Sequence, residues 1–177
     1  MSFQRRRTKS VPAEPSSAED SEQQVEDGNA LAYAQGIASL ARREQSRSQV
    51  QAKLEREGLA SAPIEHALDR LQEDGYLSDQ RFAEARSRNL AGRGKGPRAI
   101  QADLARARVT PDLQKQALAE HSSAQWLERA KGVLERKYGA LPPADRKAWE
   151  RRARFLIARG FPQGTARQAL SPTSTED

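Results

Sequence analysis

The chain repeats itself. Residues 40–68, moved forward by 50, lie over residues 90–118 without a gap. Leu40, Ala41, Arg43, Gln51, Ala52, Leu54, Arg56, Ala67 and Leu68 then meet identical residues, while Val50 meets Ile100 and Leu59 meets Val109. A shift of 102 sets Leu54, Gly58, Leu59, Ala67 and Leu68 over Leu156, Gly160, Phe161, Ala169 and Leu170. Self-similarity at such a period means one supersecondary unit in several copies, each too small to bury its own apolar face. The repeat argues against one thick core and predicts an elongated tandem array of three units.

Composition decides what each unit is built from. Only 36% of residues are hydrophobic and 5% aromatic, enough for thin cores between helices. Alanine, leucine, glutamine, glutamate and arginine dominate and β-branched residues are few, which favours helix nearly everywhere.

The punctuation fits three helices per unit. A helix over about 30–43 would place Leu31, Ala34, Ile37, Ala38 and Ala41 on one face. Ser46, with Gln49 three residues on, has the spacing of a capping box. The helix it opens presents Val50 and Leu54 and ends at Gly58. Pro63 sits in the first turn of a third helix that carries Ile64, Ala67, Leu68 and Leu71 to Gly75.

In the second unit Ser78 caps a helix that Leu77 and Phe82 staple, and Pro97 and Pro111 open two more. The third unit has a helix over about 123–138 with Trp126, Ala130 and Val133 in step. It then has a break at Pro142-Pro143, a helix ending at Gly160, and a last one reaching Leu170. The expected organisation is a disordered tail over 1–28, three-helix units over 29–75, 76–121 and 122–170, and a disordered tail over 171–177.

Gly92-Arg93-Gly94-Lys95-Gly96-Pro97 invites comparison with a phosphate loop. Such a loop needs Ser or Thr after its lysine and a strand before it. Here Gly96 follows Lys95, and Asp79 to Leu90 reads as helix. The repeat supplies another explanation: the segment replaces Arg42-Arg43-Glu44-Gln45-Ser46-Arg47 of the first unit, so it joins helices, its glycines turning the chain and Pro97 starting the next helix.

No cysteine is present, which excludes disulfides, zinc–thiolate sites and thiol nucleophiles. Arg5-Arg6-Arg7 superficially resembles a twin-arginine export signal, but no apolar run follows it, and no window approaches a membrane span. A soluble, cytoplasmic protein is expected. The formal net charge is +6, made up of −2 over residues 1–28, −1 over 29–75, +4 over 76–120 and +5 over 121–177. Positive potential gathered in the later units suits a polyanion, or a protein coated on one.

No catalytic or metal-binding constellation stands out, and His66 and His121 read as isolated surface residues. Arg42, Arg43 and Arg93 fall at matching turns, and Arg86, Arg88, Lys95 and Arg98 gather around the second turn. Glycines there permit a phosphate close to the backbone, and a helix N-terminus offers amides to it. A turn with solvated charges is the equal alternative. Lys147, Arg151 and Arg154 form a stripe opposite Trp149, Ala153 and Leu156, which is either a binding face or a solvated one. Tyr76, Phe82, Trp149, Phe155 and Phe161 read as core, Phe155 with the weakest placement.

Several segments, taken in order, resemble the RecX regulatory proteins. They are Leu40-Ala41-Arg42-Arg43-Glu44-Gln45-Ser46-Arg47, Gly75-Tyr76-Leu77-Ser78-Asp79-Gln80-Arg81-Phe82-Ala83-Glu84, Arg86-Ser87-Arg88, Gly94-Lys95-Gly96-Pro97-Arg98-Ala99-Ile100 and Arg154-Phe155-Leu156-Ile157-Ala158-Arg159-Gly160-Phe161. The resemblance covers about residues 31–170 and implies an all-α fold of three tandem three-helix, helix-turn-helix-like repeats.

It also implies a regulator and not an enzyme, one that lies in the groove of the RecA–DNA filament and inhibits recombinase, ATPase and coprotease activities. That would place the chain in homologous recombination, DNA repair and the SOS response, as a cytoplasmic monomer without cofactor or metal. Its partners would be the RecA filament and DNA, single- or double-stranded. The alternative is a helix-turn-helix-like DNA-binding protein acting without RecA.

Two positions depart from the family pattern. Gln45 stands where histidine is usual, and Arg108 stands where the other units have Gly58 and Gly160. A left-handed arginine costs about 1 kcal/mol relative to glycine, unless the turn differs.

Overall fold

The computed structural model describes residues 17–171. Among these residues it contains nine helices and no strand. Unit 1 is α1 (Ser17–Leu40), α2 (Arg47–Arg56) and α3 (Ser61–Glu73). Unit 2 is α4 (Asp79–Gly92), α5 (Pro97–Arg106) and α6 (Pro111–Ala119). Unit 3 is α7 (Ser123–Tyr138), α8 (Arg146–Ala158) and α9 (Gln163–Leu170). In each, the first helix pairs with the third and the second crosses between them; the extensive helix pairings all lie inside units. Three such units in tandem form the elongated array that the repeat predicts.

Local chemistry explains where the helices start and stop. Ser78 Oγ and Ser122 Oγ each accept the amide three residues on, and Asp145 Oδ1 accepts that of Ala148 at 2.7 Å. Left-handed residues end several helices: Gly58 (φ 87°), Gly75 (φ 77°) and Gly160 (φ 89°). Arg108 takes the same conformation at φ 57°, so the second unit keeps the turn and bears its strain. Leu77 and Phe82 are both buried, as a staple requires.

The structure revises four expectations. Residues 17–28 are helical, so α1 begins well before the expected start near residue 30; residues 1–16 and 172–177 lie outside the described part. The inward face of α1 is Ala32, Gly36 and Ser39, flanked by Tyr33, Ile37 and Leu40, while Leu31 is 51% exposed. The reason is Gly36: a Cβ there would lie 2.5 Å from Leu71 Cδ1, so α1 meets α3 along its small residues. Ser46 forms half a capping box: its Oγ accepts from Gln49 N at 3.2 Å while its hydroxyl donates to Ala107 O at 2.9 Å, and the Gln49 side chain does not return to the Ser46 amide. The complete box is Ser122 with Gln125. Tyr76, expected inside, is exposed.

The apolar interior is divided unevenly. Val50, Leu54, Ile64, Leu68 and Leu71 form one core, which Leu77 joins from the start of the second unit. A second, continuous core runs through units 2 and 3, from Phe82, Leu90, Ile100 and Leu104 to Trp126, Val133, Leu156 and Phe161. Burying each such side chain stabilises the fold by roughly 1.5–3 kcal/mol.

The units meet turn against turn at equivalent repeat positions, through a side chain at the first junction and through backbone at the second. The turn before α2 docks on the turn after α5 through the Ser46–Ala107 hydrogen bond. The turn before α5 docks on the turn after α8, where Gly96 N donates to Arg159 O at 2.8 Å and Arg98 N to Gly160 O at 3.0 Å. There the backbones touch: a Cβ on Gly96 would lie 2.4 Å from Phe161 N, and one on Gly160 2.4 Å from Ala99 N.

Candidate polyanion-binding surface

The Gly92–Pro97 segment is where units 2 and 3 meet, and its glycines have separate tasks. Gly92 faces open space. Gly94 turns at φ 75° and presses on α7, so that a Cβ would stand 2.8 Å from Val133 Cγ2. Gly96 makes the backbone contact with Gly160. This close approach draws cations from the last turn of α7 and from the turns that follow α4 and α8 to the same place.

A groove of about 240 Å³ opens beside the junction, lined by Gly92, Arg93, Val133, Arg136, Lys137, Phe155 and Arg159. Four of the lining residues are basic and none is acidic. Arg159 Nη1 donates to Arg93 O at 3.3 Å. Arg159 Nη1 and Arg136 Nη2 both lie within 4 Å of where a Cβ on Gly94 would be. Like charges this close repel by about 2 kcal/mol near a protein surface, less in salt. An anion in the groove relieves that repulsion.

Phe155 is the platform. Its ring lies under the Arg159 guanidinium at 5.0 Å and the Lys137 ammonium at 5.8 Å, with Tyr138 edge-on at 5.5 Å. It is half-buried against the second core. Arg152 sits over Tyr138 at 5.1 Å and donates to Leu141 O at 2.7 Å, bracing the loop between α7 and α8.

The predicted site residues divide into three sets. Arg93, Lys95 and Arg98 are exposed on the junction turn and the first turn of α5, and Lys147, Arg151 and Arg154 are exposed along α8. No ion pair engages any of these six among the described residues. Arg42 and Arg43 are likewise exposed, at the turn between α1 and α2, beside Glu44, which pairs with Arg81 at 2.9 Å.

Arg86 and Arg88 are tied down instead. Arg86 grips Asp103 with two hydrogen bonds, at 2.7 and 3.1 Å, and Arg88 pairs with Glu120 at 3.2 Å. The Arg86 hydrogen bond holds the Asp103 carboxyl below the usual carboxylate range, and the same pair raises the Arg86 guanidinium. Arg86 is therefore a strut between α4 and α5.

Sequence reading passes over Arg136, Lys137 and Arg159. Arg136 and Lys137 are neighbours in the last turn of α7 and Arg159 follows α8, with no common motif, and only Lys137-Tyr138, a cation beside an aromatic near a helix end, hints at the cluster. His121 is not the simple surface residue expected. It is half-buried edge-to-face on Trp126 at 4.9 Å, and burial together with Arg129 lowers its imidazole pKa. His66 is exposed, as expected. Gln45, where the family pattern has histidine, is buried and donates to Ser39 O at 2.7 Å and Ser39 Oγ at 2.8 Å, closing the end of α1. Among the described residues no helix is long and apolar enough to cross a membrane, and no group of ligand side chains could hold a metal ion.

Three family models match in order: the first three-helix domain of RecX over residues 32–71, the second over 78–118 and the third over 123–170. This chain belongs to the RecX family. Each RecX match falls on one of the three structural units, the first beginning part-way along α1. The regulatory protein RecX of Acidithiobacillus ferrooxidans is 36% identical over 138 residues, covering 78% of this chain and 87% of the relative. That of Pseudomonas putida is 37% identical, with 78% and 88% covered.

Two solved RecX structures share the fold. The one from Lactobacillus salivarius superposes with a TM-score of 0.72 at 18% identity, covering 81% of this chain and 94% of the other. A second RecX structure gives 0.75 at 21% identity, covering 88% and 77%. The named relatives are regulatory proteins.

Proposed function

We propose that this chain binds along the RecA–DNA filament and inhibits its recombinase, ATPase and coprotease activities, acting in recombination, repair and the SOS response. The observation that carries the reading is the ordered match of all three units to RecX. The unit 2–3 junction supports it, because its basic face is suited to a filament built on a polyanion.

The mechanism is occupancy and needs no catalysis, cofactor or metal. Units each about 20–25 Å across, two helix diameters, extend about 60–75 Å in a row and reach more than one filament subunit. Weak contacts from tethered units then add, since each unit that binds raises the local concentration of the next. A monomer in the cytoplasm suffices for this.

Purified protein is expected to suppress DNA-dependent ATP hydrolysis by RecA and strand exchange in a dose-dependent way. Full activity of both at saturating protein would sink the proposal. A footprint on a defined operator in the absence of RecA would favour the alternative of an autonomous DNA-binding protein.

A further inference from the structure

We infer that the groove between units 2 and 3 is a phosphodiester seat, built from Arg93, Arg136, Lys137 and Arg159, that holds a nucleic-acid backbone without reading its bases. The inference deepens the filament reading and takes its setting from it, but its test needs no recombinase.

Three observations carry it. First, the groove gathers four cations with no carboxylate to balance them, in a volume of about 240 Å³ that suits a phosphate and its sugar. Second, the cationic surface continues in a line. Lys147, Arg151 and Phe155 on α8 and Arg159 at its C-terminal cap follow at intervals of four residues and so share a face, and Arg154 runs beside them. From Lys147 to Arg159 the helix rises about 18 Å, which at about 3.4 Å per nucleotide of one strand spans some five phosphates. Lys95 and Arg98, on the junction turn and the first turn of α5, are exposed as well. A linear row of charge fits a backbone better than an isolated carboxylate.

Third, the aromatic ring at the centre is already engaged. Phe155 carries Arg159 and Lys137 over its ring and Tyr138 against its edge, so it seats cations and is no stacking platform for bases. Contacts of this kind position a backbone and carry no sequence information. Phe155 is a positioning residue for the two cations. The seat also exists only while units 2 and 3 are docked, because α4, α7 and α8 each contribute to it.

The test is anisotropy titration of the full-length protein against labelled 30-nucleotide single strands, an abasic strand of equal length and a duplex, between 50 and 200 mM salt. The triple variant Arg93→Ala, Arg136→Ala, Lys137→Ala removes side chains outside the core and is expected to keep the parent's melting temperature. On single strands its log Kd versus log salt slope is expected to fall by about 2, at about 0.7 per lost contact, and on duplex by nearer 3. Arg56→Ala in unit 1 should leave the slope alone. Phe155→Leu keeps the apolar bulk and should weaken binding by about 2- to 5-fold, through the lost cation–π contacts.

Oligo(dT), oligo(dA) and the abasic strand are expected to bind alike, and the slopes on single strand and duplex decide which backbone is preferred. The inference is overturned if the parent binds no DNA at 50 mM salt, if the triple variant keeps the parent's slope, or if the abasic strand is not bound. Should the triple variant lose RecA inhibition while binding DNA like the parent, the groove contacts an acidic protein surface; this inference then fails and the filament reading stands.

Discussion

Glycines that look alike in this sequence have unlike tasks. Gly58 and Gly160 are aligned by the repeat and both adopt positive φ, yet space is open around the first and closed around the second. Gly58→Ala should therefore cost about 1 kcal/mol, from left-handed backbone alone. Gly96→Ala, at negative φ, should cost more, about 2–3 kcal/mol, because its methyl meets backbone of unit 3 that has nowhere to move. Chemical denaturation of the two variants decides the order; a Gly96→Ala protein as stable as the parent would mean that the junction is looser than described.

At the scale of elements, the tie between α4 and α5 shows how a basic side chain is taken out of a binding surface. Arg86 pairs with Asp103, which is 20% exposed, and the pair keeps the carboxyl ionised in the fold at lower pH than in the unfolded chain. A carboxyl with a lowered folded pKa stabilises the protein above its unfolded value, about 3.9, and that contribution fades as pH falls through the lower folded value. Asp103→Asn should cost about 1 kcal/mol at pH 7, a figure reduced by the exposure of Arg86. Parent and variant should converge in acid once pH has fallen through that lower folded value, which thermal melts across pH would show. Arg86 was legible as basic and near a turn, but the sequence alone does not reveal that Asp103 faces it from the next helix.

The whole molecule is one unit plus a fused pair. Leu54 and Leu104 occupy the same repeat position and both are fully buried, but they belong to different cores. Leu→Ala at either should cost about 2–5 kcal/mol. Native-state hydrogen exchange should separate them: Leu54→Ala lowering protection in unit 1 alone, Leu104→Ala lowering it through units 2 and 3 together. Equal loss across all three units in both variants would show that the cores act as one. For function the division means that the junction carrying the basic groove is the firmly packed one, while unit 1 is joined to the rest chiefly by Ser46, Leu77, the hydrogen bond from Arg47 N to Asp79, and the Arg81–Glu44 pair.

Sequence alone determined the three helical units, their order and most of their caps, because those depend on residues a few positions apart: the periodicity of Val50 and Leu54, the hydroxyl of Ser78, the rings of Pro97 and Pro111. It also located the basic half of the chain and the turn that carries Arg93. Only the tertiary structure decided that α1 turns its small residues inward to Leu71, that units 2 and 3 share a core, and that Arg136, Lys137 and Arg159 join Arg93 around Phe155. Arg93 and Arg159 are 66 residues apart. A helical period tells which face of a segment is apolar, but what faces that segment is set by how tightly two backbones approach, and here Gly96 against Gly160 sets it.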